Sequence, residues 1–129
     1  PDPNSLICVK GSFPNIKLYI DSLKVDIAIK NIIDNAFKYG KKNNPISIFT
    51  KISDKSISIS IHNFGDVILK EDIKKIKNPF YRINKKETTK GFGLGLSIAN
   101  KIILAHNGSI KIISSKNAGT TFSLILPTT

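Results

Sequence analysis

Three polar side chains and one glycine-rich run carry the chemistry this sequence could do. At 100° per residue, Asn31, Asn35 and Lys38 fall within roughly 60° of one another, on the side of a helix opposite its apolar residues. Two amides and an ammonium on one face suit a ligand rich in anionic oxygens; the plainer alternative is a solvated face. Asparagine is a poor helix former, so two of them four apart are an unhelpful way to solubilise a helix. The run Gly91-Phe92-Gly93-Leu94-Gly95-Leu96 lets backbone approach a ligand closely and opens onto a helix, whose first N–H groups and positive dipole end favour phosphate. It fits neither a dinucleotide-binding fingerprint nor a Walker A loop, because no strand directly precedes it and no Gly-Lys-Ser/Thr closes it. Just upstream, Arg82, Lys85, Lys86 and Lys90 are cations suited to polyphosphate.

Alternating helical and extended segments must position these groups. Residues 6–10 and 16–20 read as short strands around a Gly-Ser-Phe-Pro turn, with Cys8 a small hydrophobe near the first. From 22 to 39, Val25, Ile29, Ile32, Ile33, Ala36 and Phe37 recur at helical spacing, and Gly40 is a stop. Residues 46–52 and 57–61 alternate about a Ser-Asp-Lys-Ser turn, a hairpin signal, with the isoleucines of the second run on one face and its serines on the other. Residues 70–77 read as a short helix ended by Asn78-Pro79, and 82–92 as a mobile polar loop. A second apolar helix runs from 96 to 106 and ends at Asn107-Gly108. Strands at 109–114 and 120–126, joined by Lys-Asn-Ala-Gly, close the chain. The sum is an α+β two-layer sandwich: a mixed, largely antiparallel sheet of about five strands with about three helices on one face.

A chain of 129 residues with 40% apolar content can bury the core of one domain. One cysteine forms no internal disulfide, and no run approaches the roughly 18 apolar residues of a membrane span. The first five residues read as a linker or expression remnant and 6–129 as the domain. The formal charge of +11, with Arg82 the sole cation other than lysine, suggests an anionic partner, although an AT-biased codon usage explains part of it without function. Nucleic acid is the least supported partner, because aromatics to stack bases are few and no zinc or basic-helix motif occurs.

Asn31-Ile-Ile-Asp-Asn35-Ala-Phe-Lys38-Tyr39 resembles the N box of sensor histidine kinases, Pro79-Phe80-Tyr81-Arg82 their F box, and residues 91–96 their G2 box, in the family's order. His106-Asn-Gly108 and Ala118-Gly-Thr-Thr-Phe122 resemble its closing helix end and final hairpin. The resemblance implies a Bergerat-type fold that binds ATP and Mg²⁺. It implies that Asn35 coordinates the metal with Asn31 near it, that Lys38 meets a phosphate and that Tyr39 flanks the adenine. Gly91, Gly93 and Gly95 would hold the triphosphate by backbone N–H groups, with Arg82 closing over it. Asn63, Gly65, Ile68, Phe80, Lys90, Phe92, Leu94, Leu96 and Thr121 complete the implied ATP site. Asn31, Lys38 and Arg82 are the implied catalytic groups. Related gyrase-type ATPases carry a glutamate at the position of Asn31 to activate water; an amide takes up no proton, which favours transfer over hydrolysis.

The acceptor would be a histidine on a separate dimerisation domain. His62 and His106 are the only histidines, and neither lies in a His-Glu-Leu-Arg-like segment. His106 reads as a helix-end residue favouring the negative dipole end, and His62 as a packing or edge residue. The resemblance further implies a response regulator as partner and a cytoplasmic domain, monomeric alone, of a membrane-anchored dimer in the bacterial inner membrane. Where relatives read Asp-x-Gly-x-Gly, this chain reads Asn63-Phe-Gly65-Asp-Val67, so an uncharged acceptor meets the adenine amino group. The alternatives are a serine-directed anti-sigma-type kinase and a noncatalytic nucleotide-binding domain.

Overall fold

In the computed structural model the described residues are 7–10, 18–40, 44–79, 81 and 95–128. Strand period fixes the sheet. In β3 (Ser56–Asn63), Ile57, Ile59, Ile61 and Asn63 point to one face and Ser56, Ser58, Ser60 and His62 to the other. β3 pairs antiparallel with β2 (Ile46–Ile52) on one side and β5 (Gly119–Pro127) on the other. β4 (Ser109–Ser115) lies outside β5, and β1 (Ile7–Lys10) lies parallel to β2, giving the order β1-β2-β3-β5-β4. The register sets Ile61 opposite Phe122, Ile59 opposite Leu124 and Ile57 opposite Leu126, so these side chains form one apolar face. The opposite face is mostly serine, threonine and lysine, interrupted by Phe49, Ile113 and Ile125, and Ser60 and Ser123 share a 2.8 Å hydrogen bond across it.

Two helices cover the apolar face. α1 (Ser22–Tyr39) buries Val25, Ala28, Ile32 and Ala36, and α3 (Gly95–Ala105) buries Leu96, Ser97, Ala99 and Ile103. Small residues at 28, 36 and 99, all fully buried, let the helices lie close to each other and to the sheet. Asp21 caps α1 by accepting from the Lys24 N–H at 3.2 Å. α3 ends where Asn107 takes φ +60° and the Gly108 N–H returns to the Ile103 carbonyl at 2.9 Å, a left-handed stop. His106 ties the two ends together. Its Nε2 accepts from the Asp21 N–H at 3.0 Å, so Nδ1 carries the proton and donates to the Ile102 carbonyl at 2.7 Å. The helix-end role is as expected; the reach to α1 is not visible in sequence.

Two expected elements differ. Residues 18–20 form no strand; Leu18 packs on the core and Asp21 begins the helix cap, leaving no ladder for them to join. The helix expected over 70–77 is α2 (Lys70–Ile73), continued by tight turns in which the Lys75 N–H meets the Asp72 carbonyl and the Asn78 N–H the Lys75 carbonyl.

The Tyr81 hydroxyl donates to Asp72 Oδ1, tying the chain after Pro79 back to α2. That bond first, partial burial second and the Asp72 charge third hold the Tyr81 phenol above the ordinary tyrosine range. The pair therefore stabilises the fold fully below the unfolded value of 10.0 and stops doing so as pH rises through the raised folded value. Absorbance titration in the phenolate band is expected to show a late alkaline step in the native protein. The step should vanish in Tyr81→Phe; its persistence there would assign it to another tyrosine.

Candidate functional site

The site is built where α1 and β3 end. α1 stops at Tyr39 with Gly40 as its cap, and Gly40 makes an isolated antiparallel bridge with Gly65, just past β3. Gly40 is extended (φ −80°, ψ 157°), so its missing side chain serves space rather than a left-handed turn. A Cβ there would lie 2.6 Å from the Ala36 carbonyl oxygen, and one on Gly65 would collide with the Tyr39 carbonyl oxygen. The close approach at Gly65 is therefore to the end of α1. Its lack of a side chain serves packing against α1.

Asn63 is the last residue of β3 and faces the helices. It is 2% exposed, and neither Oδ1 nor Nδ2 has a hydrogen-bond partner. An unpaired buried amide costs about 1–3 kcal/mol, so a native domain keeps one where a ligand completes it. Across the ladder from Asn63 stands Thr120, 1% exposed, whose hydroxyl lies 2.7 Å from that of Ser114. Ser114 in turn accepts from the Ile68 N–H at 2.9 Å, which anchors the chain after Gly65 to β4.

Asn31, Asn35 and Lys38 share one side of α1 as their spacing predicts, but that side flanks the buried stripe instead of lying opposite it: Asn35 is about 20° from fully buried Ala28, and the exposed side carries Leu23, Ile27 and Asp34. Asn31, Asn35 and Lys38 are all half-buried. Asn31 reaches the first residue of α3: a Cβ built on Gly95 would sit 3.4 Å from Asn31 Oδ1. The Lys38 ammonium lies 5.6 Å from the Tyr39 ring centroid, within cation–π range. Two amide oxygens one turn apart are hard donors, the type that holds Mg²⁺ alongside phosphate oxygens.

Of three further expected site residues, one faces outward and two are buried. Thr121 is out of phase with Phe122, Leu124 and Leu126 and lies on the outer face, paired with His62; Thr120 takes the inward place. Counting back by two from Phe122 would have found it. Leu96 is 4% exposed, and Ile68 is 3% exposed; both pack into the core. His62 turns its ring outward, 4.6 Å from Phe64 and edge-on, with Nε2 2.6 Å from the Ala118 carbonyl, which is the packing role expected. Phe80, Arg82, Lys85, Lys86, Lys90, Gly91, Phe92, Gly93 and Leu94, and with them the 82–92 loop expectation, lie outside the described residues.

Sequence comparison matches residues 20–129 to the family described as histidine kinase-, DNA gyrase B-, and HSP90-like ATPase. The signal transduction histidine-protein kinase ArlS of Staphylococcus aureus (strain USA300) is 47% identical over 95 residues, 72% of this chain and 21% of that protein. The chain thus spans about a fifth of the length of the curated relatives it matches. Among solved structures, the catalytic domain of histidine kinase ThkA has 30% identity and a TM-score of 0.81, over 97% of this chain and 81% of its own. ThkA in complex with response regulator protein TrrA has 26% identity and a TM-score of 0.79, over 98% of this chain and 35% of its own.

The clasp at Gly40 and Gly65 can be strained directly. Gly65→Ala forces a methyl against the Tyr39 carbonyl, so the helix and strand ends must part. We expect a loss of about 1–3 kcal/mol in urea unfolding, the usual range for overpacking, with displaced Asn63 side-chain amide resonances. A loss below about 0.5 kcal/mol, the level of an ordinary surface change, would show that the clasp is not tight.

Proposed function

The chain belongs to the family of histidine kinase-, DNA gyrase B- and HSP90-like ATPases, and from that footing we propose that it is the catalytic, ATP-binding domain of a sensor histidine kinase in a bacterial two-component system. The observation that carries this reading is the meeting of Asn31 with Gly95, which brings the polar face of α1 to the start of α3. A triphosphate laid there meets amide oxygens and a lysine from one element and helix N–H groups from the other.

Asn35 holds Mg²⁺ beside Asn31; the ion, when bound, neutralises charge on the triphosphate oxygens. Lys38 pairs with a phosphate, Tyr39 flanks the adenine, and Asn63 reads its edge. Arg82, Lys90 and the glycines at 91, 93 and 95 complete the phosphate contacts. A histidine imidazole on a separate dimerisation domain attacks the γ-phosphorus, the bond from that phosphorus to the bridging oxygen breaks, and ADP departs. Asn31 orients the phosphoryl group but takes no proton, so water is not activated and the imidazole is the better nucleophile. Positioning and charge neutralisation supply the catalysis, as phosphoryl transfer demands little else. A response regulator then receives the phosphoryl group, and the full-length protein is a membrane-anchored dimer whose kinase domain faces the cytoplasm. Two findings support the setting: the relatives named histidine kinases, and the response regulator bound by ThkA.

The test mixes the chain with the histidine-bearing domain of the full-length protein, labelled ATP and Mg²⁺. Acid-labile label on the acceptor is the expected result; acid-stable label would point to a serine kinase, and no transfer at saturating nucleotide to a noncatalytic domain. Asn35→Ala should reduce transfer at least about a hundredfold, the scale of losing one aligned electrostatic contact, with circular dichroism unchanged. Nucleotide binding that keeps its full Mg²⁺ dependence in Asn35→Ala would overturn the metal assignment.

A further inference from the structure

Asn63 is buried with both ends of its amide unpartnered, so no protein group fixes which end is donor and which acceptor. The polar side chains nearest in the ladder are committed: Thr120 bonds Ser114, and Ser114 accepts from the Ile68 N–H. The backbone comes close beside Asn63: a Cβ on Gly40 would lie 3.5 Å from Asn63 Cβ, and one on Gly119, at φ +80°, would lie 2.6 Å from the Asn63 main-chain carbonyl oxygen. A half turn about χ2 exchanges Oδ1 and Nδ2 without breaking any bond to the protein.

We infer that the site at Asn63 takes 6-amino- and 6-oxopurine nucleoside triphosphates with similar affinity. The inference rests on the nucleotide-binding reading above and concerns which base that site admits. In one orientation Oδ1 accepts from an adenine 6-amino group while Nδ2 donates to N1. In the other, Nδ2 donates to a 6-oxo group while Oδ1 accepts from the N1–H. Each pairing makes two hydrogen bonds and leaves neither amide atom unsatisfied, as bidentate asparagine does with adenine elsewhere. A carboxylate in the same place can only accept. It would keep the 6-amino group and set two oxygens against each other for a 6-oxo group, and sites whose buried polar group is left unpaired by the wrong ligand discriminate strongly.

The experiment is calorimetric binding of ATP and inosine triphosphate, each with Mg²⁺, to the chain and to Asn63→Asp. Inosine triphosphate is the probe because it has the 6-oxo group and N1–H without the 2-amino group of guanine. The expected result is dissociation constants within about tenfold of each other for the unaltered chain, and a ratio shifted at least about tenfold toward ATP in Asn63→Asp, the lower end of what one mismatched polar group costs. Inosine triphosphate binding the unaltered chain more than tenfold weaker than ATP overturns the inference, as does an unshifted ratio in Asn63→Asp. If the buried carboxylate prevents folding, Asn63→Ala replaces it. Loss of affinity for both ligands by a similar factor is then expected, and loss for ATP alone is the contrary result. Failure of both nucleotides to bind the unaltered chain would instead remove the ATP-binding reading itself.

Discussion

The end of α1 lies against the end of β3 at backbone distance, and the site depends on that approach. A helix and a strand normally hold their axes apart by the thickness of their side chains. Here Gly40 and Gly65 remove both side chains and replace them with a main-chain bridge. The last turn of α1 is thereby brought level with Asn63. The start of α3 joins them because Asn31 meets Gly95, while His106 holds the far end of α3 to the α1 cap. The pair of helices is thus tied by a hydrogen bond between the α1 cap and the end of α3, and along its length by Ala28, Ile32, Ala99 and Ile103, all fully buried.

Much of this was legible in the sequence, for identifiable reasons. Period-2 alternation about Ser-Asp-Lys-Ser marks a hairpin whose strands, β2 and β3, pair as expected, and the helical spacing from 22 to 39 yields α1 at its full length. That Asn31, Asn35 and Lys38 share one side of α1 followed from angle alone. The misreadings share a cause: local signals do not reveal which partner a segment meets. Residues 18–20 have strand-like composition, but the approach to the α1 cap decides their course. Gly65 carries no sign in the sequence that its neighbour is the Tyr39 carbonyl. Thr120, not Thr121, shares the phase of Phe122, Leu124 and Leu126, and alternation along β5 makes that legible in the sequence. The reach of His106 to residue 21, across 85 positions, could not be read locally.

The charge divides between site and background. Lys38 stands in the candidate site, whereas Lys30 pairs with Asp26 at 2.9 Å on the exposed side of α1, a contact type that adds little to stability. Lys51 and Lys111 lie on the outer face of the sheet, in register with Ser58 and Ser123. That face uses serine where β-branched residues would serve strand propensity better, and its hydroxyls bond one another and the backbone instead. These hydroxyls and ammonium groups break up the outer face, so that Phe49 and Ile113 stand on it as separate exposed apolar side chains. Lys30, Lys51 and Lys111 are therefore accounted for by solubility, whereas Lys38 stands at the candidate site.

The amide at residue 63 is where stability and binding meet. A carboxylate buried at this depth with no cationic partner among the described residues would bear a desolvation cost well above that of a neutral amide. Asparagine lowers the cost of the empty site to that of an unpaired amide, about 1–3 kcal/mol, within a net domain stability of order 5–15 kcal/mol. What it gives up is the stronger bond that a charged acceptor makes to an amino group. On the proposed reading the affinity comes from the ion, Lys38 and the backbone N–H groups at the start of α3, contacts that address the phosphates and are blind to the base. Such a site would draw its affinity from phosphate and read the base through one reversible amide.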